Sequence, residues 1–143
     1  MKNNPQISGL PLPDCKAILI CDHIIQEGKS NKFSLIGIFE NVQAPFAPTP
    51  TEPLIHPQMA IYAKVTGAEG KYTWRFELVK LSTDTVIGEG MVGEIQHADR
   101  LATHEMSLTL RLIPFSELGK YEYRLYANDR LVGMKSFSVI LSK

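Results

Sequence analysis

The stretch YEYRLYANDRLVGMKSFSV, residues 121–139, decides the fold of this chain. Apolar and aromatic residues alternate with polar ones on both sides of the dipeptide Asn128-Asp129. A period of two is typical of β-strands, because successive side chains of a strand point to opposite faces. Asn and Asp favour turns, so the stretch predicts a β-hairpin.

The same pattern recurs along most of the chain, and it predicts about eight strands and no long helix. The predicted strands are residues 15–26, 33–39, 59–66, 72–78, 86–95, 106–112 and the two arms of the terminal hairpin. Strands at this spacing, most with one polar face, indicate an all-β, antiparallel β-sandwich that is Greek-key and immunoglobulin-like in character. Tyr121, just after a glycine-containing corner, fits a tyrosine corner, and an ordinary core tyrosine is the alternative.

Three strands carry more specific expectations. The nearly continuous apolar run in residues 15–26 is typical of a strand covered on both faces. In residues 106–112 the alternating leucines, the last of them Leu112, predict one buried face. The glycines of the strand at 86–95 predict a bulge or a close neighbour at position 88, 90 or 93. One helical turn is expected at residues 98–101.

Composition limits the possible functions. The 143 residues include fifteen basic and fifteen acidic side chains, so the formal net charge is zero. Neutrality argues against nucleic acid or an anionic membrane as a partner, and it leaves self-association open. Without an apolar run of signal-peptide or membrane-spanning length, we expect a cytoplasmic protein. Cys15 and Cys21 would lie about 20 Å apart on one strand, so buried thiols are expected rather than a disulfide.

The predicted domain organisation is a flexible N-terminal tail, residues 1–13, followed by a single sandwich domain, residues 14–143. Residues 41–57 contain five prolines and predict a long loop. We interpret this loop as a crossover between two sheets, with Phe46, Leu54 and Ile55 closing the edge of the core. A binding segment is the alternative, because long loops are often functional.

A family resemblance lies in the pair Cys21-Asp22 and in Ser34-Leu35-Ile36-Gly37-Ile38-Phe39, followed by the proline-bearing loop. This order resembles a family of small bacterial single-domain proteins of unknown function. The resemblance covers roughly residues 14–139 and implies a one-domain β-sandwich. It implies no activity, substrate or site residue.

Glycine motifs do not predict a nucleotide site. Residues 88–93 match G-x-G-x-x-G, but the helix that such a site needs does not follow. Gly28-Lys29-Ser30 resembles the end of a phosphate-binding loop and is followed by a strand. We interpret both as structural, and we predict no cofactor.

The remaining candidate chemistry is a loop cluster of His97, Asp99, His104 and Glu105, which could bind a metal or act in acid–base catalysis. Solvated loop residues are the alternative for these four. We interpret His23 as a hydrogen-bonded structural residue, Asp22 as a turn-capping residue and Cys21 as a buried thiol, although Cys21 and His23 share one strand face.

The aromatic residues of the chain could form a stacking platform for nucleic acid, but Trp74 and Phe76 alternate with Leu78 as core residues do. We therefore predict a non-enzymatic interaction or structural module that pairs with itself or with another protein through an edge strand or the proline loop. A metal-dependent or acid–base enzyme around His97 and His104 is one alternative. Small-ligand or carbohydrate binding is the other.

Overall fold

The computed structural model describes residues 9–143, which form nine β-strands and no helix. The strands are β1 (Asp14–Gln26), β2 (Phe33–Ile38), β3 (Asn41–Ala44), β4 (Leu54–Thr66), β5 (Gly70–Lys80), β6 (Thr85–His97), β7 (His104–Phe115), β8 (Gly119–Ala127) and β9 (Arg130–Leu141). The predicted β-sandwich is confirmed. Since the described part of the chain lacks helices, no helix in it could cross a membrane.

The strands form two packed sheets. One sheet has four strands in the order β2-β1-β4-β7, and the other has five in the order β3-β9-β8-β5-β6. Hairpins connect β1 to β2, β5 to β6 and β8 to β9, and the other five connections pass between the sheets. All neighbours are antiparallel except β3 and β9, which pair in parallel.

Strand β3 was not predicted. It occupies the first four residues of the predicted loop 41–57, and the last four residues of that loop belong to β4. Within the predicted loop, only residues 45–53 lack strand structure. The predicted crossover is present, because the chain passes from the four-stranded sheet to β3 and back. Leu54 packs against the core as expected, whereas Phe46 and Ile55 are exposed.

The core lies between the inner faces of the two sheets. The alternation predicted for β5 is confirmed, because Tyr72, Trp74, Phe76 and Leu78 are all buried. Burying such side chains removes apolar area from water at roughly 25 cal/mol per Å², which is the main stabilising term. The Tyr121 hydroxyl donates to the Glu117 carbonyl at 2.7 Å, so the tyrosine corner is confirmed. Asn128 and Asp129 have φ values of 49° and 66°, as a two-residue hairpin turn requires.

The buried face predicted for residues 106–112 ends before Leu112, which is exposed. Leu112 has a φ of 53°, and it lies opposite Pro57 on β4, where proline supplies no N–H to the ladder. The positive φ reverses the alternation of side chains on β7, and the inward positions shift to Ile113 and Phe115. A positive φ at leucine has no sequence signature, which is why the prediction was wrong.

Two close approaches hold the sheets together at their margins. On one margin β6 meets β7, and a Cβ added at Gly90 would lie 2.4 Å from a methyl carbon of Leu108. On the other margin β9 meets β1, and a Cβ added at Gly133 would lie 2.7 Å from the Cys15 sulfur. The close neighbour predicted for the glycine-rich strand is therefore confirmed at Gly90. We call these contacts the sealed margins.

The far half of β1 leaves the sandwich. β1 pairs with β4 only as far as Cys21, and from there to Gln26 it pairs, among the described strands, with β2 alone. We call this two-stranded segment, residues 22–38, the hairpin arm. Asp22, His23 and Ile25 are exposed here, so the expectation of a first strand covered on both faces is wrong for the arm.

The arm curls back over the outer face of the four-stranded sheet. The rings of Phe33 and Tyr62 are 5.6 Å apart, although their partners on β1, Gln26 and Leu19, are separated by roughly 23 Å on a straight strand. β1 must therefore bend beyond Cys21.

Two further expectations concern the ends of elements. The helical turn expected at residues 98–101 is a plain turn, in which the Ala102 N–H donates to the Asp99 carbonyl at 3.1 Å. Of the predicted tail, residues 1–8 lie outside the described residues. Leu10 packs against the core, and the Pro11 carbonyl accepts a hydrogen bond from the Tyr72 hydroxyl at 2.7 Å.

Candidate functional site

Two of the four predicted loop-cluster residues come together. His97 ends β6 and is buried, and its ring lies 4.9 Å from the ring of His104, which begins β7. The Trp74 indole N–H donates to His97 Nε2 at 3.0 Å, so that nitrogen carries no proton. Burial, and then the neighbouring His104, lower the pKa of His97. The pair is an edge-to-face ring contact on a sealed margin.

The other two residues lie elsewhere. Asp99 is exposed and accepts a hydrogen bond from the Leu101 N–H at 2.9 Å, which caps the turn. Glu105 faces the outer side of the sheet, where it accepts a hydrogen bond from the Tyr62 hydroxyl. Within residues 9–143, no three His, Cys, Asp or Glu side chains are grouped so that they could hold a metal ion. The four predicted residues therefore do not converge on one cleft.

Cys21 and His23 do not form a nucleophile–base pair. The Cys21 thiol is buried and bonds the His23 carbonyl at 3.4 Å, and burial raises the pKa of the thiol. The His23 Nδ1 lies 3.3 Å from the Gln58 side-chain nitrogen. A raised thiol pKa leaves less of the reactive thiolate, so Cys21 is a structural residue.

Two residues of the family resemblance, Asp22 and Gly37, meet within the arm. Asp22 lies opposite Gly37, and its carboxylate occupies the space where a Cβ of residue 37 would be. Gly37 has a φ of 70°, which glycine adopts without strain. Both residues line a small cavity of about 320 Å³ together with Phe39 and His56. Burial lowers the pKa of His56, so this cavity has a neutral imidazole beside one carboxylate.

A larger open cleft of about 700 Å³ lies on the outer face of the five-stranded sheet. Arg75 lines it and bonds Asp129 at 2.5 Å and Glu77 at 3.3 Å, while its guanidinium lies 4.3 Å from the centre of the Tyr126 ring. The cation is thus already matched by two carboxylates. The cleft can offer hydrogen bonds to a neutral polar ligand better than it can attract an ion.

The aromatic residues considered as a stacking platform are mostly core. Tyr72, Trp74, Phe76, Tyr121 and Tyr123 are buried between the sheets, where no base could reach them. Single-strand binders need exposed rings beside a basic groove, so this arrangement is not a platform of that kind.

Edge strands are the remaining candidates, because they present unpaired backbone N–H and C=O groups. Three of the four edges are blunted. β3 has only four residues and precedes Pro45, and β6 is bulged and packs against β7. β7 carries Arg111, the positive φ of Leu112 and then Pro114. These are the devices by which proteins prevent unwanted strand pairing.

The fourth edge, β2, has none of the charges or prolines that blunt the others. It pairs with β1 on one side, and no described strand pairs with its other side. Ile25, Ile36 and Ile38 on the arm are 47%, 49% and 56% exposed. An apolar, uncharged edge strand is a template for another strand, so β2 is the candidate functional site.

The sequence alone did not identify these isoleucines as surface residues. Continuous apolar sequence predicts burial on both faces, and for this reason β1 was predicted to be covered on both faces. The available signal was that residues 33–38 lack charge and directly precede the proline-bearing crossover, so no later strand was certain to cover them.

The fold and the exposed edge define a two-sheet β-sandwich domain with one open strand. The model of the family of unknown function DUF6941 matches residues 16–140. The chain belongs to this family, and the predicted membership of a family of unknown function is confirmed. A search of curated proteins finds no match to this chain.

Solved structures resemble the fold at low sequence identity. An alkylpurine DNA glycosylase of Pseudomonas fluorescens, bound to DNA with an abasic site analogue, aligns over 90% of this chain with a TM-score of 0.55 and 7% identity. The chain spans only 30% of the length of that glycosylase. An immunoglobulin-like protein of Pseudomonas aeruginosa aligns over 90% of this chain and 96% of its own, with a TM-score of 0.43 and 16% identity.

Proposed function

We propose that this protein is a non-enzymatic interaction module that binds another polypeptide by adding a strand to the free edge of β2. The observation that supports this is the exposure of Ile36 and Ile38 on an edge strand that lacks charge and proline. In strand addition, main-chain hydrogen bonds supply affinity, and neighbouring side chains supply specificity.

The test is the substitution Ile36→Lys, because an edge lysine opposes strand pairing. Two control variants have comparably exposed apolar residues elsewhere. Leu131→Lys changes a residue on β9 that is 40% exposed, and Phe46→Lys changes one in the proline loop that is 36% exposed. The three variants and the wild-type chain are compared by size-exclusion chromatography with light scattering and by melting temperature.

We expect the wild-type chain to associate, with itself or with a purified partner, and Ile36→Lys alone to lose that association at an unchanged melting temperature. Loss in Phe46→Lys alone would instead identify the proline loop as the surface. Equal behaviour of all four chains would contradict the proposal.

A bacterial and cytoplasmic setting is part of this proposal. The two free thiols, Cys15 and Cys21, support the cytoplasmic part, because they suit a reducing compartment.

Small-ligand binding is a second candidate, and the cleft beside Arg75 is the observation that favours it. A neutral, hydroxyl-rich ligand such as glucose suits its balanced donors and acceptors. A calorimetric titration of the wild-type chain and of an Arg75→Gln variant with glucose tests this candidate. Heat that is absent or identical in both chains would eliminate this candidate.

A further inference from the structure

We infer that the strand added to β2 is β2 of a second copy of this chain, paired antiparallel about a two-fold axis at Ile36. This inference rests on the proposed function and names its partner. The symmetry, the exposed side chains and the charges at the ends of β2 support it in turn.

Symmetry limits the possible registers. Two antiparallel edge strands are related by a two-fold axis perpendicular to the sheet, so residues that lie opposite one another share a face. A residue must therefore lie on the axis, opposite its own copy. The central residues of β2, Leu35 and Ile36, give the two registers that pair most of the strand.

Exposure favours the Ile36 register. Ile36 is 49% exposed, whereas Leu35 is partly buried within its own chain. With Ile36 on the axis, the exposed Ile38 of each chain lies opposite Ser34 of the other. The exposed Ile36 side chains, one from each copy, would then cover each other at the centre of the interface.

Charge favours the same register. It brings Lys32, just before β2, to the end of the strand where Glu40 of the other chain turns toward β3, and it does so twice in the dimer. Lys32 has no ion pair in residues 9–143, and Glu40 uses Oε1 for Lys135 at 2.7 Å, which leaves Oε2. The Leu35 register would instead place Lys32 opposite the apolar Ile38. A chain of zero net charge adds no overall repulsion between copies.

Cysteine cross-linking tests the register. In the Ile36→Cys variant the two introduced cysteines would face each other across the axis, with their Cβ atoms roughly 4.5–5.5 Å apart. In a Ser34→Cys variant they would be four residues out of register, about 13 Å apart and beyond disulfide reach. The wild-type chain, with Cys15 and Cys21 in place, is the control for native thiols.

We expect Ile36→Cys to form a disulfide-linked dimer under mild oxidation, and Ser34→Cys and the wild-type chain to remain uncross-linked. Lys32→Glu should weaken dimerisation about threefold to tenfold, and Lys32→Glu with Glu40→Lys should restore it, since two exposed ion pairs are reversed together. A dimer that cross-links through position 34 would overturn the register.

Other outcomes separate this inference from the proposed function. If the wild-type chain is monomeric, but binds a different purified protein in a manner abolished by Ile36→Lys, the strand-addition proposal holds and the second copy is excluded. If Ile36→Lys changes neither self-association nor partner binding, both fail.

Discussion

The two edge strands of the four-stranded sheet, β7 and β2, differ in how far they are protected from pairing with another strand. At one end β7 lies against β6, with Leu108 over Gly90 and His104 against His97. Its free edge carries Arg111 and Pro114 around the positive φ of Leu112. At the other end β2 extends into the hairpin arm with a positive φ at Gly37 but with no charged residue or proline. A sequence that places charge and proline on one edge, and leaves the other uncharged and apolar, keeps the second available for contact.

Replacing a glycine by alanine should lower stability more at a sealed margin than in the arm. Gly133→Ala places a Cβ 2.8 Å from the Cys15 Cβ, which is fixed to the backbone of β1 in the other sheet and cannot rotate away. We expect a loss of about 1–3 kcal/mol in the free energy of unfolding, as for overpacked cores. Urea denaturation measures it from the transition midpoint.

The control for this prediction lies in the turn of the arm. A Cβ at Gly28 meets nothing within 4 Å, so Gly28→Ala should change stability by no more than about 0.5 kcal/mol. Equal losses in the two variants would show that the Cys15 contact is not what makes Gly133 necessary.

A second pair of variants sharpens the comparison within β6. Gly90→Ala would meet a Leu108 methyl carbon at 2.4 Å, but that methyl lies at the end of a flexible side chain, so we expect a loss of about 1 kcal/mol. Gly88→Ala meets Leu110 at 3.5 Å, an ordinary contact, and should be neutral or slightly stabilising. Thermal unfolding of both variants measures the difference, and identical melting temperatures would argue against close β6–β7 packing.

The smallest expected effect is the pH response of the sealed margin. Burial and His104 lower the pKa of His97, so the unfolded chain binds the proton more readily than the folded one. The stabilisation is complete above the unfolded value of about 6.5 and is lost as pH falls through and below it. The melting temperature should therefore fall more between about pH 7.5 and about pH 5 in the wild-type chain than in His97→Gln, in which residue 97 cannot titrate. Parallel decreases would assign the pH response to other groups.

Much of the fold could be predicted, because alternation in residues such as Trp74 and Tyr123 reports which face of a strand is buried. β3 was missed because Val42 and Ala44 give too short an alternation between a strand and a run of prolines. The change of inward face after Leu110 depends on one backbone angle at Leu112, which composition does not encode.

The candidate site was harder to predict than the fold. The four polar residues chosen for their chemistry were near one another in sequence, but His104 and Glu105 point to opposite sides of one strand, and His97 is held by Trp74. The apolar residues of β2 looked like core, since a sequence does not show whether another strand will cover them. Whether the outermost strand is covered is a property of sheet order, here β2-β1-β4-β7.

Hydrogen exchange at increasing protein concentration tests most directly whether β2 is the edge that pairs with another strand. The account predicts that backbone amides of residues 34–38 become more protected as concentration rises, while those of residues 106–113 on β7 keep the same protection at every concentration. Exchange in β2 that is independent of concentration, or protection that rises at β7 instead, would contradict it.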